Sequence, residues 1–121
     1  MFTKTFERDG VKATVRGSTG RDLFVKRAMM RRMDVDPLDE VLWDATWEFV
    51  GIVSQSSDVV TPFAWPTTSA SGEELNQAMD CWLALPEMTL RLWMNSASEV
   101  ETPPIDPDLT PAIDPKNEPG Q

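Results

Sequence analysis

Asp34–Gln55, DVDPLDEVLWDATWEFVGIVSQ, is the stretch on which the fold turns. Leu38, Val41, Leu42, Ala45, Phe49, Ile52 and Val53 recur at the 3.6-residue period of an α-helix. Asp36 stands where an N-cap belongs, and Pro37 follows at the first helical position, which tolerates its missing N–H. Acidic residues crowd the first turns, where the helix dipole favours them. Glu40, Asp44 and Glu48 form a wet stripe, and Trp43, Trp47 and Val50 form a second apolar stripe beside the seam. Most of the circumference is therefore apolar, more than one packing neighbour needs. The second stripe either packs on the chain's own loop and helices or faces a partner, since aromatics and methionine are enriched in partner surfaces.

Upstream, FTKTFERDGVKATVR has the marks of a β-hairpin. Asp9-Gly10 is a strong short-turn signal, and Val11, Ala13 and Val15 alternate with Lys12, Thr14 and Arg16. An isolated hairpin is marginal, so this one must pack on helices. Thr19 with Asp22 makes a capping box for a first helix over about 20–33. Its expected seam is Leu23, Phe24, Arg27, Met30 and Met33, with Lys26, Arg31 and Arg32 largely outside.

Downstream, Ser54–Ser71 reads as a long loop in which Pro62 and Pro66 bracket Phe63-Ala64-Trp65. Loops this long are often functional. Phe63 and Trp65 either pin it to the core or form an exposed contact. Ser71 with Glu74 is a second capping box, and Leu75, Ala78, Met79, Trp82 and Leu83 fit a helical seam. Pro86 ends that helix and can open the next, PEMTLRLWMNSAS. Trp82 and Trp93 lie on amphipathic helices and are expected in the core.

Residues 99–121 hold six of the ten prolines and six acidic residues against one lysine. Such a segment buries too little apolar surface to offset its ordering entropy. The expected fold is thus mainly α: an N-terminal β-hairpin packed on about four helices, with a disordered acidic, Pro-rich C-terminal tail. Residues 1–98 form the helical binding domain, 1–16 its hairpin, and 99–121 a tail or linker.

Charge and composition exclude several functions. The net charge is −9, which argues against broad nucleic-acid binding. Residues 1–33 nevertheless carry +6, expected to face the acidic helix that follows. With no histidine and no tyrosine, Ser-His-Asp and Cys-His nucleophiles and histidine-ligated metals are excluded within one chain. Cys81 is the lone cysteine, so no intrachain disulfide or thiolate metal site is possible. Gly17-Ser18-Thr19-Gly20 lacks the Gly-Lys-Ser/Thr core of a phosphate loop, and a plain turn explains it. Residues 34–40 are short of the spacing and glycine of a calcium loop. The carboxylates of the long helix read as a solvated face, so the protein is expected to be non-enzymatic and without cofactor or metal. MFTKTFERDG has no apolar signal core, and no apolar run approaches the ~18 residues of a membrane span. A cytoplasmic protein that binds no membrane is expected.

MFTKTFERDGVKATVRGSTGRDLFVKRAMMRRM resembles the opening of the lambda-type phage minor tail assembly proteins, the tail assembly chaperones. The matching positions are Met1, Phe2, Lys4, Asp9, Gly10, Val11 and Val15, followed by a basic helix. VLWDATWEFVGIVSQ and WLALPEMTLRLWM fall where that family has a long apolar helix and a Trp/Pro junction before a final helix. The likeness is specific over about the first 15 residues and looser beyond. It implies a non-enzymatic chaperone in the host cytoplasm that binds the tape measure protein, keeps this long apolar helical chain soluble, and is absent from the mature virion. It also implies a longer ribosomal-frameshift product that recruits tail tube protein. Asp114-Pro115-Lys116 is compatible with a slippery codon run near the end of the gene. Trp43, Trp47, Val50, Phe63 and Trp65 are the candidate partner contacts, chosen from this sequence and not carried over from the family. The rival readings are a small acidic phage inhibitor that mimics nucleic acid and a structural connector of the virion.

Overall fold

Asp9 and Gly10 both adopt positive φ, 54° and 79°, the geometry of a two-residue hairpin turn whose twist matches its strands. In the computed structural model, which describes residues 3–100, this turn joins β1 (Thr3–Arg8) to β2 (Val11–Arg16) in antiparallel register from Arg8↔Val11 to Thr3↔Arg16. Val11, Ala13 and Val15 are buried and Lys12 is exposed, as the alternation requires. Four helices follow: α1 (Gly20–Met33), α2 (Glu40–Gln55), α3 (Gly72–Leu83) and α4 (Glu87–Glu99). The expected disorder and frameshift signal of the tail fall on residues 101–121, outside the described residues.

The expected loop over 54–71 needs correction. Its first part is a strand, β3 (Ser56–Val60), which leaves α2 with no intervening loop and pairs antiparallel with β2. The sheet is therefore three-stranded, in the order β1-β2-β3. Register runs from Lys12↔Val60 to Thr14↔Ser57, so Asp58 and Val59 together oppose Ala13 in a β-bulge. Asp58 takes φ 51°, a conformation Asp tolerates better than most residues. Ser-Ser-Asp is a poor strand former, and tertiary pairing overrides that preference. The architecture is four helices with a three-stranded antiparallel sheet.

Helix ends follow local hydrogen bonding. At α3 the Ser71 hydroxyl accepts from the Glu74 N–H at 3.1 Å and the Glu74 carboxylate accepts from the Ser71 N–H at 2.9 Å. These bonds hold the exposed Glu74 carboxyl below its ordinary pKa. The expected cap of α2 is corrected by three residues. Asp36 and Pro37 belong to a turn in which Asp36 accepts from the N–H groups of Leu38 and Asp39. Asp39 is the N-cap, because its carboxylate reaches the Leu42 N–H at 3.1 Å.

The core joins Met29, Met30 and Met33 of α1 to Phe49, Val50, Ile52 and Val53 of α2, Leu75, Met79 and Trp82 of α3, and Trp93 of α4. Its centre is aromatic. Trp65 stacks on Trp93 at 4.8 Å between centroids, and Phe49 contacts both Trp82 and Trp65, at 5.4 and 5.8 Å. Such pairs contribute about 0.5–1.5 kcal/mol each beyond their buried area. Trp93 also donates its indole N–H to Ser56 at 3.0 Å, tying α4 to the start of β3.

One charged group shifts the expected seam of α1: Met30 and Met33 are buried as expected, but Leu23, Phe24 and Arg27 are not. Asp22 is 3% exposed, and its carboxylate takes both terminal nitrogens of Arg16 at 2.8 Å. It also accepts from the Thr19 N–H, closing the expected box. Arg16 further donates to the Ser54 carbonyl at 2.9 Å, while its own carbonyl accepts from Gln55 at 2.9 Å. With Asp22 turned inward, Met29 and Met33 follow on the same helical face, and Leu23 and Phe24 are left exposed. A stripe that starts on a carboxylate is invisible to a hydrophobicity pattern.

The Arg16 guanidinium and the Thr19 hydrogen bonds lower the Asp22 pKa from 3.8 to about 2. A depressed carboxylate stabilises the fold fully above its unfolded value. That contribution, on the order of 2 kcal/mol, is lost as pH falls through the folded value. Urea melts of Asp22→Asn are expected to show less stability at neutral pH and a flatter profile between the two pKa values. A second expectation concerns Gly72, where a Cβ would lie 1.9 Å from the Arg32 carbonyl oxygen. Gly72→Ala is expected to destabilise by about 1–3 kcal/mol by forcing α3 off α1. Gly51→Ala, whose Cβ meets nothing closer than Lys26 Cδ at 3.6 Å, is expected to be neutral or stabilising in the same melts.

Candidate interaction surface

The apolar seam of α2 is continuous in sequence but only half covered. Phe49, Ile52 and Val53 are buried. Towards the N-terminus the same seam emerges into solvent: Leu42 is 41% exposed, Val41 82% and Leu38, in the preceding turn, 88%. On this face the first turn of α2 is left uncovered among the described residues. Asp36, Asp39 and Glu40 surround these side chains and are exposed. The result is an apolar ledge with an acidic rim, continuous with the core at Ala45, which packs against it.

A different face of α2 meets α1. Here Trp43, 37% exposed, and the half-buried Trp47 form an apolar wall with Met30, Val35 and Pro37, lining a groove of about 660 Å³. Arg27 and Arg31 of α1, Asp34 at its C-cap and Asp44 of α2 complete the lining. The basic N-terminal third thus faces the acidic helix, but no ion pair within 4.0 Å joins α1 to α2 among the described residues. Lys26 lies over the Trp47 ring at 4.5 Å, a cation–π contact. Beyond Trp47 a smaller hollow of about 230 Å³ continues to Gln55 and to Met94, Ala97 and Ser98 of α4.

The five candidate contacts separate. Trp43 and Trp47 share the α1–α2 groove. Val50 does not belong with them: it is 0% exposed and part of the core. Trp65 is half-buried and stacked on Trp93, so it anchors the loop to the core. Phe63 leans on Trp65 at 6.1 Å and lines a separate hollow of about 490 Å³ with Gln77 and Cys81 of α3. The sequence pattern assigned Leu38, Val41 and Leu42 to the core because periodicity reports a face and not what covers it. Four acidic residues within five positions of Leu38, Asp34, Asp36, Asp39 and Glu40, were the available signal that this end of the seam stays wet.

Among the described residues, no group of three or more His, Cys, Asp or Glu side chains is placed to hold a metal ion. None of the described helices is long and apolar enough to cross a membrane.

Trp65→Ala is expected to cost about 2–4 kcal/mol by opening the aromatic cluster. Trp43→Ala is expected to cost less than about 1 kcal/mol, as a surface truncation. Chemical denaturation of the two variants separates an anchor from a surface group. No family model, no curated protein and no solved structure matches the chain.

Proposed function

We propose that this protein is a tail assembly chaperone of the lambda-type minor tail assembly class, which binds the tape measure protein and keeps it soluble until the tail tube assembles around it. The reading rests on the N-terminal resemblance, and the observation that carries it is the half-covered seam of α2. A helical client laid along Leu38, Val41 and Leu42 would extend the core of the chaperone by one more helix. The acidic rim favours a client helix whose apolar stripe is flanked by Lys or Arg.

Magnitudes fit a reversible holder. Burying three exposed aliphatic side chains yields about 4–6 kcal/mol at the usual area coefficient. Association itself costs an estimated 4–15 kcal/mol, so these contacts alone give weak binding that releases readily. Several copies along a long client would compensate by multivalency. The net charge of −9 keeps such a complex from aggregating. In this role the protein works in the host cytoplasm without catalysis, leaves before the virion matures, and is accompanied by a longer frameshifted form that recruits tail tube protein.

The test is co-expression of the full chain with the tape measure protein. Leu38→Ser with Val41→Ser alters two exposed side chains, so the fold is expected to be retained by circular dichroism. Soluble client is expected to fall severalfold. A client that stays equally soluble with the folded double variant would remove the ledge as its site. A client no more soluble with the wild-type chain than without it would remove the chaperone reading.

A further inference from the structure

Asp22 is the single acidic residue of α1, and it is turned into the core onto Arg16. The outward side of that end of the helix is left cationic around two exposed apolar side chains. Phe24 is 68% exposed and Leu23 36%. Arg21 and Arg27, both exposed, stand three residues to either side of Phe24, which makes them its neighbours on the helix surface. We propose that this face of α1 in one copy of the chain docks on the acidic-rimmed ledge of another copy, with Phe24 against Leu38 and Val41, and Arg21 and Arg27 beside Asp36 and Glu40.

Charge complementarity identifies the occupant. The ledge lies in a stretch, residues 34–90, that has no lysine or arginine. Asp36, Asp39 and Glu40 are exposed, and none takes part in a salt bridge among the described residues. Arg21 has no ion-pair partner there either, and it lines neither hollow beside α2. Arg27 shares its groove with Asp34 and Asp44, so the unmatched charge of this face is that of Arg21. The ledge favours an apolar stripe with cationic flanks, and the start of α1 presents one. Opposite charges at the rim steer the encounter and fix its register.

The partner has to be a second copy. Lys26 lies over the Trp47 ring, and a Cβ at Gly51 would meet its Cδ at 3.6 Å. The first half of α1 therefore runs beside the second half of α2. Val41 is ten residues before Gly51, about 15 Å back along the helix, beyond the reach of Phe24 in the same chain. Face and ledge are different surfaces, so the contact is heterologous and each copy offers one of each. With two apolar side chains from one copy and three from the other, it is small and reversible. On the chaperone reading, on which this part rests, the α1 face carries the features that suit a client stripe. A second copy then covers the ledge until a client displaces it.

The experiment is sedimentation equilibrium of the full chain without any client. The average mass of the wild-type chain is expected to rise with concentration. It is expected to fall back towards the monomer near 1 M salt, where the screening length is about 3 Å. Arg21→Glu with Phe24→Ser, and separately Leu38→Ser with Val41→Ser, are each expected to weaken association severalfold while circular dichroism stays that of the wild type. Arg21→Glu alone, an exposed charge reversal, is expected to weaken it too and serves if the Phe24 variant misfolds. Each double variant keeps one intact surface, so an equimolar mixture of the two is expected to recover association as a two-chain complex. A wild-type chain that stays monomeric at low salt, or variants that associate as it does, would overturn the proposal. So would folded double variants that fail to recover association on mixing. No client is present, so a failure of the chaperone reading leaves these outcomes unchanged, and a failure here leaves the ledge open to its client.

Discussion

Arg16 is the residue on which the three layers of the fold meet. Its side chain leaves the end of β2, grips the carboxylate that opens α1, and caps the Ser54 carbonyl near the end of α2. The last turn of α2 has no basic residue of its own, so Arg16 supplies the positive charge that the negative end of the helix dipole favours. A carboxylate as buried as Asp22 would be costly alone, and the forked pairing with Arg16 plus the Thr19 hydrogen bonds offsets that cost. Because Asp22 is fixed inward, the rotation of α1 about its axis is fixed too. Met29, Met30 and Met33 then face the core, while Arg27 and Arg31 face the groove beside α2.

That rotation also creates the surfaces on which the functional reading rests. Trp47 lies between Lys26 and the groove, neither fully core nor fully free. Gly72 brings the start of α3 against the Arg32 carbonyl, and Arg32 donates to the Thr68 and Ala70 carbonyls, so the end of α1 is held on two sides. The sheet and α4 cover the far end of α2 through Trp93, Phe6 and Val15. Nothing among the described residues covers Leu38 and Val41, and the first turn of α2 projects as an apolar ledge with an acidic rim. One helix thus presents an apolar ledge with an acidic rim and, on another side, an aromatic groove whose lining carries Arg27, Arg31, Asp34 and Asp44.

Much of the local structure was legible in the sequence because short-range chemistry fixes it. The Asp9-Gly10 turn, the Ser71–Glu74 box, the span of α1 and the break at Pro86 each depend on residues within a few positions of one another. The errors share a different cause. β3 forms because β2 offers it an edge, against the preferences of Ser-Ser-Asp. Leu23 and Phe24 are exposed because a buried ion pair set the angle of α1. Val50 is core and Leu38 is not, because coverage is a property of the whole fold. Of the site residues, Trp43 and Trp47 were visible as a stripe, whereas Arg27 was expected in the seam of α1 and is exposed, and Arg31 was expected outside that seam with no link to α2.

The central claim is that the exposed half of the α2 seam is where an apolar helix docks. The most direct test places a photo-crosslinking amino acid at Val41 in the full chain, and separately at Arg91, with the tape measure protein co-expressed in each case. The account predicts a covalent adduct with the client from position 41 and none from position 91. Adducts from position 91 alone, or from neither position while the client remains soluble, would contradict it.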